Sequence, residues 1–124
     1  MRYISTDKAP GAIGPYTQAI ETDSMLFCSG QIGLDPATGV LVQSLEGQVE
    51  QALKNLKGLV ESSGYKMEGI IKTTLFLTNM EDFAKVNEIY GSYFMTHKPA
   101  RSTVAVSALP KGALFEIEAI AIRS

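Results

Sequence analysis

With 124 residues, 45% hydrophobic and 19% charged, the chain carries enough apolar material for one buried core and has the composition of an ordinary folded domain. A net charge of −2 lacks the basic footprint of a nucleic-acid binder, and no apolar run nears the ~20 residues of a membrane span. The single cysteine, Cys28, excludes an intrachain disulfide and a cysteine-built zinc site. These bounds lead us to expect one domain over residues 1–124, in the cytoplasm.

In chain order, residues 2–5 read as a short edge strand, followed by a loop over 7–15 marked by Pro10, Gly11, Gly14 and Pro15. Residues 16–21 and 25–33 form a strand pair across the turn Thr22-Asp23-Ser24, and Asp35-Pro36-Ala37-Thr38-Gly39 is a second turn. Val49, Ala52, Leu53, Leu56, Leu59 and Val60 recur on one helical face, predicting a helix over 45–63 with Ser44 as N-cap and Gly64 as its stop. A strand over 70–78 follows, with Ile71, Leu75 and Leu77 expected on one face. A second helix buries Phe83, Val86, Tyr90 and Phe94 after a capping-box-like start from Asn79 to Asp82. Strands over 103–107 and 113–122, joined by Leu109-Pro110-Lys111-Gly112, close the chain.

The order β-β-β-α-β-α-β-β predicts an α+β fold, a mixed β-sheet with two helices packed on one face. The helices can hide only that face. Yet 25–33 carries apolar residues on both parities, Leu26 and Ile32 against Met25 and Phe27. Oligomerisation through the open face is the economical way to cover it.

Few residues here suit chemistry. Glu116 interrupts the apolar run 114–122, where a carboxylate is costly to bury unless it is paired or used. Glu118 shares its face, so the two are either an acid/base pair or two solvated charges. Arg101, two residues after Pro99, offers the planar fork that suits a carboxylate, or is a surface arginine at a strand start. Gly30 inside a strand marks a bulge or a close approach by a ligand or backbone. Tyr16, aimed by the Gly14-Pro15 turn, is either a packed ring or a pocket wall with a free hydroxyl. Cys28 and His97 lie on different elements, and nothing beside Cys28 would activate its thiol, so a thiol-protease pair is disfavoured. Ser29 sits in no nucleophile elbow. Neither a phosphate loop nor a metal-ligand cluster is present in the sequence.

Six segments in fixed order resemble one family: Gly14-Pro15-Tyr16-Thr17-Gln18-Ala19, Ser29-Gly30-Gln31-Ile32, Gln51-Ala52-Leu53-Lys54-Asn55-Leu56, Val86-Asn87, Pro99-Ala100-Arg101-Ser102 and Glu116-Ile117-Glu118-Ala119-Ile120-Ala121. The chain is similar over about residues 5–123 to the reactive-intermediate deaminases, the Rid or YjgF-like family, also labelled endoribonuclease L-PSP. The resemblance implies a chorismate-mutase-like subunit in a homotrimer, with clefts at the subunit interfaces. It also implies cofactor-independent hydrolysis of 2-enamine and 2-imine acids, such as 2-aminoacrylate and 2-iminobutanoate, to 2-keto acids and ammonia. By the same resemblance Arg101 holds the substrate carboxylate and Glu116 handles the attacking water, with Tyr16, Ser29, Gly30 and Asn87 shaping the pocket. Thr103 stands where the family often has cysteine, so its backbone would serve and thiol chemistry would be lost. The competing readings are a non-catalytic regulator that binds 2-keto acids in the same cleft, and the ribonuclease that the older label names. The charge balance and the lack of a histidine pair argue against the ribonuclease.

Overall fold

A computed structural model describes residues 1–123. Strand β1 (Arg2–Ile4) pairs antiparallel with β2 (Ala19–Thr22), which turns into β3 (Met25–Gln31) through Asp23 and Ser24. Both turn residues have positive φ, 50° and 65°, as a two-residue hairpin turn matched to strand twist requires. Helix α1 (Leu45–Ser62) begins at Ser44, whose Oγ accepts the Gly47 N–H at 3.0 Å, and Gly64 follows its end at φ 86°. Its predicted apolar stripe, Val49 through Val60, is fully buried.

Strand β4 (Ile70–Leu77) leads to one 3₁₀ turn (Met80–Asp82), in which Asn79 Oδ1 accepts the Glu81 N–H at 3.0 Å. Helix α2 (Phe83–Tyr93) continues from it. Strand β5 (Ala100–Ala105) then runs parallel to β4 at the sheet edge, and β6 (Phe115–Ile122) inserts between β3 and β4. The six-stranded sheet has the order β1-β2-β3-β6-β4-β5. The two helices pack together, with α1 lying on β3 and β6. The mixed sheet with two helices is the architecture the element order predicts.

One face of the sheet builds the core. Leu26, Leu75, Leu77, Phe115 and Ile117 lie under α1 and α2 with no exposed surface, and cutting any of these leucines to alanine costs about 2–5 kcal/mol. The other face stays open. Phe27 is 42%, Val104 41% and Ile122 37% exposed there.

Four expectations need correction. The second strand starts at Ala19 rather than at 16, which leaves Tyr16 in the preceding loop. Ile71 does not share the inward face of Leu75 and Leu77. A bulge between Ile70 and Lys72 shifts the register against β6, so Ile70 and Thr73 turn inward and Ile71 outward. The fifth strand starts at Ala100 rather than 103, which places Arg101 inside it. Phe83, at the first turn of α2, is only half-buried.

Buried amides fix the loops. Gln18 Nε2 donates to the carbonyls of Thr6 (3.0 Å), Ala9 (3.3 Å) and Pro10 (2.8 Å), while its Oε1 accepts the Thr6 N–H at 2.8 Å. This holds loop 6–10 against β2 and aims the following segment, which carries Tyr16.

At the opposite end of β2, the Glu21 carboxylate accepts from Arg2 (2.8 Å), the Tyr65 hydroxyl (2.6 Å) and Arg123 (2.9 Å). Arg2 first, then Tyr65 and Arg123, hold its pKa down at about 2 against an ordinary 4.5. A depressed carboxyl pKa stabilises the fold above the unfolded value, and that contribution disappears as pH falls through the folded one. Acid titration followed by circular dichroism is therefore expected to lose this increment between pH 4.5 and 2. Glu21→Gln, less stable at neutral pH, should lack that part of the slope.

Candidate active site

The site begins with one extra residue in β3. Cys28 pairs with Ala119 and Gln31 with Ile117, so three steps along β3 match two along β6. The bulge falls on Ser29 and Gly30. Its backbone is tied to the β2 approach, Ser29 N–H donating to the Gln18 carbonyl at 2.9 Å and Ser29 Oγ to the Thr17 carbonyl at 2.6 Å.

Glu116, near the start of β6, alternates with the buried Phe115 and Ile117 and so projects from the open face. Its carboxyl lies directly on Gly30. A Cβ at position 30 would sit 1.9 Å from Oε2 and 2.8 Å from Cδ, so any side chain there must push the carboxyl off its seat. The glycine in the strand is thus the close approach that its position suggested, here to the chain's own carboxylate. Burial, and secondarily the charge of Glu118, push the Glu116 pKa up. The carboxyl makes no hydrogen bond among the described residues.

Tyr16, Ser29, Gly30, Glu116 and Glu118 line one cavity of about 620 Å³, with Lys111 at the rim and Ile13, Ile32 and Leu34 supplying apolar wall. This is the size and make-up of a small-molecule site. Gly14 sets the aim of Tyr16. At φ 121° its carbonyl accepts the Tyr16 N–H at 2.9 Å in a three-residue turn, leaving the ring half exposed. A second hollow of about 660 Å³ runs over Phe27, Ile20 and Ile120 on the open face. It shares Tyr16, Ser29 and Glu118 but includes neither Glu116 nor Gly30.

Arg101 lies elsewhere. In register with the buried Thr73 of β4, it faces the helix side of the sheet, opposite to Glu116. Its Nη1 donates to Asn87 Oδ1 of α2 at 2.7 Å, and its Cζ stands 5.0 Å from the Tyr90 ring centre and 5.5 Å from that of Phe83. The Tyr90 hydroxyl is fixed against Thr73 Oγ1 at 2.8 Å. Thr103, two residues along β5 on the same side, has a buried Oγ1 without a hydrogen-bond partner among the described residues. Tyr16, Ser29, Gly30 and Glu116 are thus brought together in one place, and Arg101, Asn87 and Thr103 in another. A single chain does not unite the two groups.

Cys28 and His97 form no pair. Burial pushes the Cys28 thiol up to about 12, and the His97 ring binds the Ile70 carbonyl. Sequence reasoning passed over Lys111 and Gln18 as site residues. Gln18 stands in a segment quoted for its resemblance. Lys111 is signalled only by its place in a Pro-Lys-Gly turn.

The fold and the two residue clusters define an α+β protein with a carboxylate-lined cavity of small-molecule size. Residues 6–123 match the family model described as endoribonuclease L-PSP. The chain is 49% identical over 123 residues to the 2-iminobutanoate/2-iminopropanoate deaminase of Homo sapiens, covering 98% of this chain and 90% of that one. Among solved structures, Escherichia coli TdcF with bound serine superposes with a TM-score of 0.96 at 45% identity, covering 100% of both chains. The yjgF gene product of E. coli gives 0.96 at 44% identity, again over 100% of both chains. The chain belongs to the endoribonuclease L-PSP family, the Rid or YjgF-like proteins.

Proposed function

We propose that this protein hydrolyses 2-imino acids, with their enamine tautomers, to 2-keto acids and ammonia, at sites assembled from two copies of the chain. The observation that carries the reading is Glu116, a half-buried carboxyl of raised proton affinity seated on bare backbone in a small-molecule cavity. One copy supplies Glu116, Gly30, Ser29 and Tyr16. The adjoining copy supplies Arg101, Asn87 and Thr103. The open sheet face with Phe27 and Val104 is the surface through which copies join, as a homotrimer. Human and Salmonella typhimurium relatives named as imine deaminases, 49% and 47% identical, support the substrate class.

The chemistry follows from the residues. The Arg101 fork grips the substrate carboxylate and, held by Asn87 and the Tyr90 ring, keeps one orientation. Water attacks the imine carbon while Glu116 takes its proton, and the C=N π pair moves onto nitrogen. Glu116 passes that proton to the amino nitrogen and the C–N bond breaks. As the C=O forms, the carbinolamine O–H gives its proton to Glu116, which hands it to the departing ammonia and returns to its starting state. A protonated imine is already electrophilic, so positioning a water and relaying its two protons suffice without a cofactor. Two carboxylates in the cavity work against a phosphodiester ligand.

The test generates 2-iminobutanoate in situ with a threonine dehydratase and follows its absorbance. Faster decay with the protein present is the expected result. Saturable 2-keto acid binding without any acceleration would replace this reading with that of a metabolite-binding regulator.

A further inference from the structure

Lys111 lies at φ 58°, ψ 22° and Gly112 at φ 71°, the two central residues of a turn closed by the Ala113 N–H, which donates to the Pro110 carbonyl at 3.1 Å. As at Asp23 and Ser24, the turn itself accounts for the left-handed backbone. Asparagine, aspartate or glycine would suit its first central position better than lysine, which leaves a use for the lysine side chain to be found.

The cavity suggests what that use is. Its lining holds two carboxylates, Glu116 and Glu118, and Lys111 is the only cation among the described residues that line it. Lys111 is exposed and forms no ion pair among the described residues, so its charge is free to act on a ligand. An anion approaching this cavity meets repulsion from both glutamates.

We propose that Lys111 is the electrostatic gate of the site, a residue that captures anionic substrates at the mouth and selects small carboxylates over neutral imines. The inference rests on the hydrolase reading above. Arg101 of the adjoining copy makes the final directional grip. Lys111 offsets the field of Glu116 and Glu118 on the way in, and its contribution falls with salt.

The experiment compares wild type with Lys111→Gln, Lys111→Asn and Lys111→Arg, measuring kcat and KM for 2-iminobutanoate from about 0.02 to 0.5 M ionic strength. At low salt the Gln and Asn variants are expected to lose about fivefold to tenfold in kcat/KM through KM, with kcat nearly unchanged. Their kcat/KM should also vary less with salt than that of wild type. Lys111→Arg should keep the wild-type value and slope. Lys111→Asn should melt above Lys111→Gln, because asparagine tolerates the left-handed backbone. A low-salt kcat/KM for Lys111→Gln equal to wild type, with the same salt slope, overturns the gate while leaving the hydrolase intact. Wild-type protein that fails to speed imine decay overturns both.

Discussion

Glu116→Gln is expected to lower kcat/KM for imine hydrolysis by about 10³-fold while raising the melting temperature. The two effects share one cause. Burial over Gly30, with Glu118 nearby, makes the ionised carboxylate unfavourable, so its pKa lies above the ordinary 4.5. A group with a raised folded pKa costs the folded state at any pH where it must ionise. The cost vanishes once folded and unfolded forms are both protonated, below about 4.5. Glutamine removes that cost, so the stability gain should appear at neutral pH and shrink in acid. The same strained ionisation makes Glu116 a proton acceptor tuned closer to working pH, and the amide cannot take a proton from water. Wild-type activity should therefore decline as pH falls through the raised pKa. Thermal melts at pH 7 and pH 4, set beside a pH–rate profile, check both halves. A variant that is slow and also less stable would contradict this account of the site.

Arg101→Ala is expected to lose about 10²–10³-fold in kcat/KM, because a charge-assisted double hydrogen bond to the substrate carboxylate disappears. Arg101→Lys should recover only part of this, since an ammonium cannot form the planar fork held by Asn87 and stacked near Tyr90. A sharper result follows from the opposite faces of Arg101 and Glu116. If each site takes its arginine from one copy and its glutamate from the next, two inactive variants can complement. Arg101→Ala and Glu116→Gln chains, co-refolded in equal amounts, should regain about a quarter of wild-type activity, the fraction of interfaces in a random cyclic trimer that join two intact residues. Recovery that never rises above the two variants measured separately would place both residues in one chain's site instead.

Much of this architecture could be read before any coordinates. The eight elements appear in the expected order because α1 has an unbroken apolar stripe and clear caps at Ser44 and Gly64, and β6 alternates cleanly. Ile71 escaped because a bulge resets strand parity without leaving a local signature. The start of β5 escaped because an edge strand reading Ala-Arg-Ser-Thr lacks the apolar alternation that marks a half-buried one. The Glu21 cluster draws Arg2, Tyr65 and Arg123 from distant parts of the chain, so no spacing announces it. At the candidate site the residue types carried the argument for Glu116 and Gly30. That Arg101 and Glu116 face opposite ways depends on the registers of β5 and β6 against β4, which set Arg101 beside the inward Thr73 and Glu116 beside the outward Phe76, and register between distant strands is not a local property.

The seat of Glu116 on Gly30 also couples the two positions in mutational terms. A methyl group at residue 30 collides with the glutamate and with nothing else so closely, its nearest neighbours all being atoms of that one side chain. Substitution at 30 is therefore expected to act by displacing the carboxyl at 116, and its effect should fade once 116 is small. The pair is expected to be epistatic: a descendant that gives up the carboxylate gains freedom at 30, and side chains accumulating there would then keep a returning glutamate off its seat. Loss of the proton acceptor from this cavity is easier to fix than to reverse.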